Sequence, residues 1–172
     1  MGLVFDDAEF DGQLQRAISK AYERCSDIGE CLATAQRIQQ GDYDSWYDQW
    51  WATAEKAQRT AEASKAAGHA VSAREAYLRA CEYYRSAYFF RRSDLDDPKL
   101  LAAWRRQREC FRAAAALFEH PCEAVEYRTK APPSRATSLG RTTPVSRDRR
   151  SLPSPATMRP WRNPTLPRRH RR

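Results

Sequence analysis

The side chains able to do chemistry are few and scattered. Three histidines, His69, His120 and His170, stand far apart in the chain, so their spacing assembles no metal site. Five cysteines, Cys25, Cys31, Cys81, Cys110 and Cys122, are odd in number and show no C-x-x-C pairing. They read as buried thiols of a protein from a reducing compartment. No G-x-S-x-G elbow, H-G-G loop, P-loop or G-x-G-x-x-G occurs. A self-sufficient active centre is therefore not expected, and neither is a cofactor or a metal. His69, directly after Gly68, and His120 suit the negative end of a helix dipole. What remains is an aromatic surplus. Trp51, Leu78 and Phe89 fall away from the main apolar stripes of their helices, and with Tyr88 they are the candidates for an interface or a ligand cleft. Contact with another helix of the same bundle is the alternative for these residues.

The charge divides the 172 residues into two unlike pieces. Residues 128–172 hold 13 basic residues and one acid, Asp148, whereas residues 1–127 hold 17 basic and 21 acidic residues. The whole-chain net charge of +8 thus belongs to the C-terminal piece, which also holds eight of the ten prolines. Rich in Pro, Arg, Ser and Thr, residues 129–172 bury too little apolar surface to offset the entropy of ordering and are expected to be disordered. A basic segment can bind nucleic acid by neutralising phosphates, but this one carries a single aromatic residue, Trp161, and no recognisable motif. A solvated tail is the better reading, and nucleic acid is not an expected partner. No apolar run is long enough to cross a bilayer, and the start M-G-L-V-F-D-D lacks the layout of a signal peptide. The expectation is a cytoplasmic protein without membrane contact.

Residues 1–122 read as an all-α antiparallel bundle of about five helices. The spacing predicts helices over Asp6–Arg24, Ser26–Gln40, Asp44–Ala67, Ser72–Phe90 and from Pro98 to about Phe118. Ser72 and Glu75 match a capping box at the start of the fourth. Gly41 and Gly68 suit helix ends because glycine accepts the left-handed conformation there. Asp97-Pro98 offers an N-cap followed by proline at the first helical position. In the fifth helix Leu100, Trp104, Phe111, Ala114, Ala115 and Phe118 are expected to face inward, with Pro121 closing it. Short connections between long helices imply antiparallel neighbours. Residues 123–128, E-A-V-E-Y-R, alternate and read as the start of a strand.

The segments D-I-G-E-C-L-A-T-A (27–35), S-W-Y-D-Q-W (45–50), A-G-H-A-V-S-A-R-E-A-Y-L-R-A (67–80), Y-Y-R-S-A-Y-F-F (83–90) and E-C-F-R-A-A-A (109–115) carry a resemblance. In this order they resemble the N-terminal helical domain of a group of α/β-hydrolases. The group includes 2,6-dihydroxypseudooxynicotine hydrolase, fermentation–respiration switch esterase-like proteins and fungal hydrolases that shorten polyketides. The resemblance implies a cap over a C-terminal hydrolase domain, shaping the substrate pocket and contributing to a homodimer. It implies serine hydrolysis of an ester, amide or activated C–C bond, with triad and oxyanion hole in that missing domain. Trp51, Leu78, Phe89 and Tyr88 then become candidates for lining the substrate pocket or docking the hydrolase domain.

Such proteins continue with a segment of the type Y-E-G-T-T-L-P-G-Y-F, where this chain reads T-K-A-P-P-S-R-A-T-S after Tyr127-Arg128. One permitted codon set for those ten residues, ACG AAG GCA CCA CCC TCC CGG GCT ACT TCC, gives E-G-T-T-L-P-G-Y-F when read from its third base. Residues 129–172 are therefore expected to be a hydrolase-domain gene read out of frame. The competing class is a helical interaction module, since G-H-A-V-S-A-R-E-A-Y-L-R-A-C-E-Y-Y resembles a tetratricopeptide repeat. No second copy near 34 residues away supports it.

Overall fold

The computed structural model describes residues 2–120 and Cys122. The expected strand at 123–128, Pro121 and the basic segment 129–172 lie outside the described residues. Among the described residues every regular element is helical. Helix α1, Ala8–Ser19, is capped by Asp7, whose carboxylate accepts from the N–H groups of Glu9 and Phe10. It runs on into a 3-10 turn, Lys20–Glu23, which Arg24 ends in the left-handed conformation at φ 59°. Helix α2 is Ile28–Ala35, five residues shorter at its C-terminus than the sequence suggests. Asp27 caps it; Ser26 instead donates its hydroxyl to Ala17 O at 2.7 Å and ties α2 to α1. The chain turns before Gln40, whose side-chain oxygen accepts from the N–H groups of Asp6 and Asp7. Continuing α2 to Gln40 would forfeit that anchor.

Helix α3, Tyr43–Ala66, is capped by Asp42 and stops where Gly68 takes φ 79°. Helix α4, Ala70–Ala87, starts two residues before the predicted capping box, so Ser72 lies inside its first turn and the box does not form. His69 occupies the cap position and its side chain caps nothing. Glu75 is drawn off by Arg24, 2.6 Å away from the other end of α1's extension. A short 3-10 turn, Phe89–Arg91, leads to helix α5, Pro98–Ala115, with Asp97 as its cap and Pro98 at its first position.

Cross-helix contacts fix the directions. Trp46, in the first turn of α3, donates Nε1 to Ser86 O near the end of α4 at 2.8 Å, as antiparallel neighbours require, and Tyr84 donates its hydroxyl to Gln58 of α3 at 2.9 Å. Tyr88 bonds Gln107 while Arg74 lies over the Phe118 ring, so α5 runs antiparallel to α4. The seams are lined by small residues, Ala54, Ala57 and Ala61 on α3, Ala73, Ala76, Ala80 and Ala87 on α4, Ala103 and Ala114 on α5, all buried. Small side chains let backbones approach closely, and the bulky ones gather at one end. There Phe5, Phe10, Trp46, Trp50 and Phe90 pack with centroids 4.9–6.3 Å apart, Phe10 and Phe90 stacked and the other pairs edge-on or tilted.

Leu3, Val4 and Phe5 are held by one carboxylate. Asp11, 4% exposed, accepts from the N–H groups of Leu3, Val4 and Phe5 and from Gln15. These bonds to the charged form hold its pKa well below the usual carboxylate range. A depressed folded-state pKa contributes stability above the unfolded value, near 4, that is lost as pH falls through the folded value. Corrected for the intrinsic pH dependence of exchange, the protection of the Leu3–Phe5 amides is expected to fall on acidification below about pH 4, and Asp11→Asn is expected to abolish that fall; an unchanged acid response in the variant would count against it.

Candidate functional site

The sequence candidates do not converge on one point. Trp51 on α3 is half-buried, stacked on Tyr47 at 5.6 Å and edge-on to Tyr84 at 5.1 Å. Phe89, in the second 3-10 turn, carries the Arg92 guanidinium over its ring at 3.8 Å and stands edge-on to Phe90. Leu78 on α4 and Tyr88 at its C-terminal cap are both partly buried against the core. Tyr88 donates its hydroxyl to Gln107 Oε1 at 2.8 Å.

Tyr88, alone of the four candidates, borders a cleft of about 390 Å3 between α4 and α5, whose lining also includes Cys81, Trp104, Arg108 and Phe111. Here the structure corrects the sequence reading of α5. Leu100, Ala103, Cys110 and Ala114 face inward, whereas Trp104 and Phe111 are 40% and 50% exposed. The small-residue seam lets α5 lie so close to α4 that its large aromatics have no room beneath it. Trp104 and Phe111 are the functional candidates that sequence reasoning missed. Their seven-residue spacing, with Leu101 three residues before Trp104, was the signal available.

A second groove, about 490 Å3, lies between α2 and α3 and is lined in part by Glu30, Thr34, Arg37, Thr53 and Lys56. Its polar groups are largely engaged with one another. The Thr34 and Thr53 hydroxyls are 2.7 Å apart, and Arg37 donates to Gln49, Ala33 O and Thr53. Next to it the fully buried Tyr83 donates to Glu30 Oε2 at 2.7 Å and accepts from Asp27 N–H at 2.8 Å. Burial, together with donation to the carboxylate, raises the Tyr83 pKa. This tyrosine holds its proton and serves as a structural pin between α4 and α2.

Neither groove presents an activated nucleophile. His69 and His120 are exposed and bond no other described side chain. Burial pushes the thiols of Cys31, Cys81 and Cys110 up to about 12, with neighbouring acids adding to the effect, so each is a protonated thiol at neutral pH rather than a thiolate. The expectation of five buried thiols needs correction. Cys31 and Cys110 are buried, Cys25 and Cys81 partly so, and Cys122 is exposed. Titration with a thiol-specific disulfide reagent is expected to label Cys122 at once, and Cys31 and Cys110 only on unfolding. Equal rates at all five would refute this packing. No group of three or more His, Cys, Asp or Glu side chains gathers into a metal site among the described residues, and no described helix is long and apolar enough to cross a membrane.

No family model matches the chain. Among curated proteins it is 35% identical over 126 residues to the 20-hydroxy-prefusarin hydrolase FUS2 of Gibberella moniliformis, covering 73% of this chain and 30% of that protein. It is 32% identical over 126 residues to Hydrolase LUC6 of a Fusarium species, with the same coverage. The alpha/beta hydrolase xenA of Xenoacremonium sinensis is 35% identical over 111 residues, 64% of this chain and 25% of that protein. The chain is α/β-hydrolase-like and spans about 30% of the length of the first two of these fungal relatives.

Proposed function

We propose that helices α1–α5 are the cap of an α/β-hydrolase, of the kind shared with 2,6-dihydroxypseudooxynicotine hydrolase, and that the catalytic groups belong to a separate domain. The observation that carries this is the similarity to fungal hydrolases over only about 30% of their length, with helices that assemble no nucleophile and base. The cap covers substrate and contributes to a homodimer. The complete protein hydrolyses an ester, amide or activated C–C bond, with a serine nucleophile and a histidine base supplied outside the described residues. Trp51, Leu78, Tyr88 and Phe89 line the covered pocket or dock on the hydrolase domain. Their partial burial supports this, Trp51, Leu78 and Tyr88 lying against the core and Phe89 beside Phe90.

The test is made in the FUS2 hydrolase. Deleting the stretch that this chain matches should abolish its turnover, and inserting residues 1–122 of this chain in its place should restore measurable hydrolysis. Full activity after the deletion would overturn the reading. The out-of-frame reading of residues 129–172 stands as part of the same proposal. Sequencing the gene and finding no hydrolase continuation one base away would remove it.

A further inference from the structure

Helix α5 has two faces of different character. At 3.6 residues per turn, Leu101, Trp104, Arg105, Arg108, Phe111 and Arg112 fall within about 120° of arc. All are exposed except Arg108, which is partly so. Arg108 lies 4.5 Å from the centre of the Trp104 ring, a cation–π contact that keeps a guanidinium and an indole side by side at the surface. Arg105 Nε is bonded only to Leu101 O, and none of Arg105, Arg108 and Arg112 is ion-paired with a described carboxylate. The Arg106–Glu109 pair is the ion pair within α5, and neither residue lies on this arc. The same side of α5 opens into the 390 Å3 cleft bordered by Cys81 of α4 and by Tyr88 at its C-terminal cap. Trp and Arg are the residue types that dominate binding energy at protein interfaces, and here they surround an apolar centre.

We infer that the α4–α5 cleft and the outer face of α5 dock on the hydrolase domain, through a surface with an apolar centre and carboxylates placed against Arg105, Arg108 and Arg112. The inference rests on the cap reading above and names the face that reading leaves open. Charge selects this occupant. A second copy meeting the same face across a two-fold axis would set these arginines against their own equivalents, a costly juxtaposition. A carboxylate-bearing partner neutralises the three guanidinium groups while Trp104 and Phe111 lose their exposed area.

The test co-expresses the full 172-residue chain with the part of the FUS2 hydrolase that lies outside the matched stretch, and measures the dissociation constant of the purified complex. Trp104→Ala, and separately Arg108→Glu with Arg112→Glu, are expected to weaken the complex by roughly ten-fold or more, and the wild-type complex to weaken as salt is raised. Circular dichroism melts of both variants should stay close to the wild type, because Trp104 and Arg112 are exposed and Arg108 partly so. A complex that tolerates both variants unchanged would place docking elsewhere and overturn this inference while the cap reading survives. No complex with the wild-type chain would overturn both. So would Trp104-dependent self-association, or Trp104-dependent binding of a single-stranded oligonucleotide, in the absence of any hydrolase complex.

Discussion

Trp46→Ala is expected to cost about 3–5 kcal/mol of folding stability. Trp46 is 1% exposed and sits where α1, α3 and the end of α4 meet. Its ring touches Phe10 at 5.2 Å, Phe90 at 5.0 Å, Trp50 at 5.8 Å and Phe5 at 6.3 Å between centroids. Its indole N–H donates to Ser86 O across the α3–α4 seam. Alanine would remove the centre of this cluster, and the remaining aromatics, stacked against one another, cannot collapse into the space. Domains of this size are stable by about 5–15 kcal/mol in total, so the loss is a large share. Urea denaturation of the variant should show a much lower midpoint with a similar slope. A change below about 1 kcal/mol, within the range of surface substitutions, would show that this cluster is not the packed centre of the bundle.

The second large effect is expected at Tyr83. Tyr83→Phe keeps the ring packing but deletes the hydroxyl that donates to Glu30 and accepts from Asp27 N–H. Glu30 keeps Arg79, 3.2 Å away, as its remaining charged neighbour. Losing a hydrogen bond to a charged group typically costs about 1.5–3 kcal/mol, and the partners lost here stand at the first turn of α2. The variant should therefore lose about 2 kcal/mol and show its greatest rise in amide exchange at Asp27–Glu30. Exchange that rises evenly over all five helices would mean the hydroxyl does not act locally on α2.

These residues also show what could be read in advance. Helix existence was legible because it is local: the Asp97-Pro98 start, the Gly68 stop and the small-residue stripes each act within a turn or two. The capping box was misread because the helix start moved two residues and Glu75 found Arg24, 51 positions away in sequence. The short α2 was hidden because Gln40 serves the start of α1, a contact no local pattern announces. Periodicity shows that α5 has apolar residues on two arcs but not which arc the neighbour covers. Size suggested Trp104 and Phe111; the close α4–α5 seam selected Ala103, Cys110 and Ala114 instead. The likeness to hydrolases was legible from ordered segments, whereas the α4–α5 cleft became visible only once α4 and α5 were set side by side.

An ester-hydrolysis assay on the full 172-residue chain, without any added domain, bears most directly on the claim that these helices cover chemistry done elsewhere. Turnover is expected to match buffer alone for short- and long-chain p-nitrophenyl esters. Hydrolysis above that background, abolished by substituting a single residue among positions 2–120, would place a working catalytic centre within the helices and contradict the account.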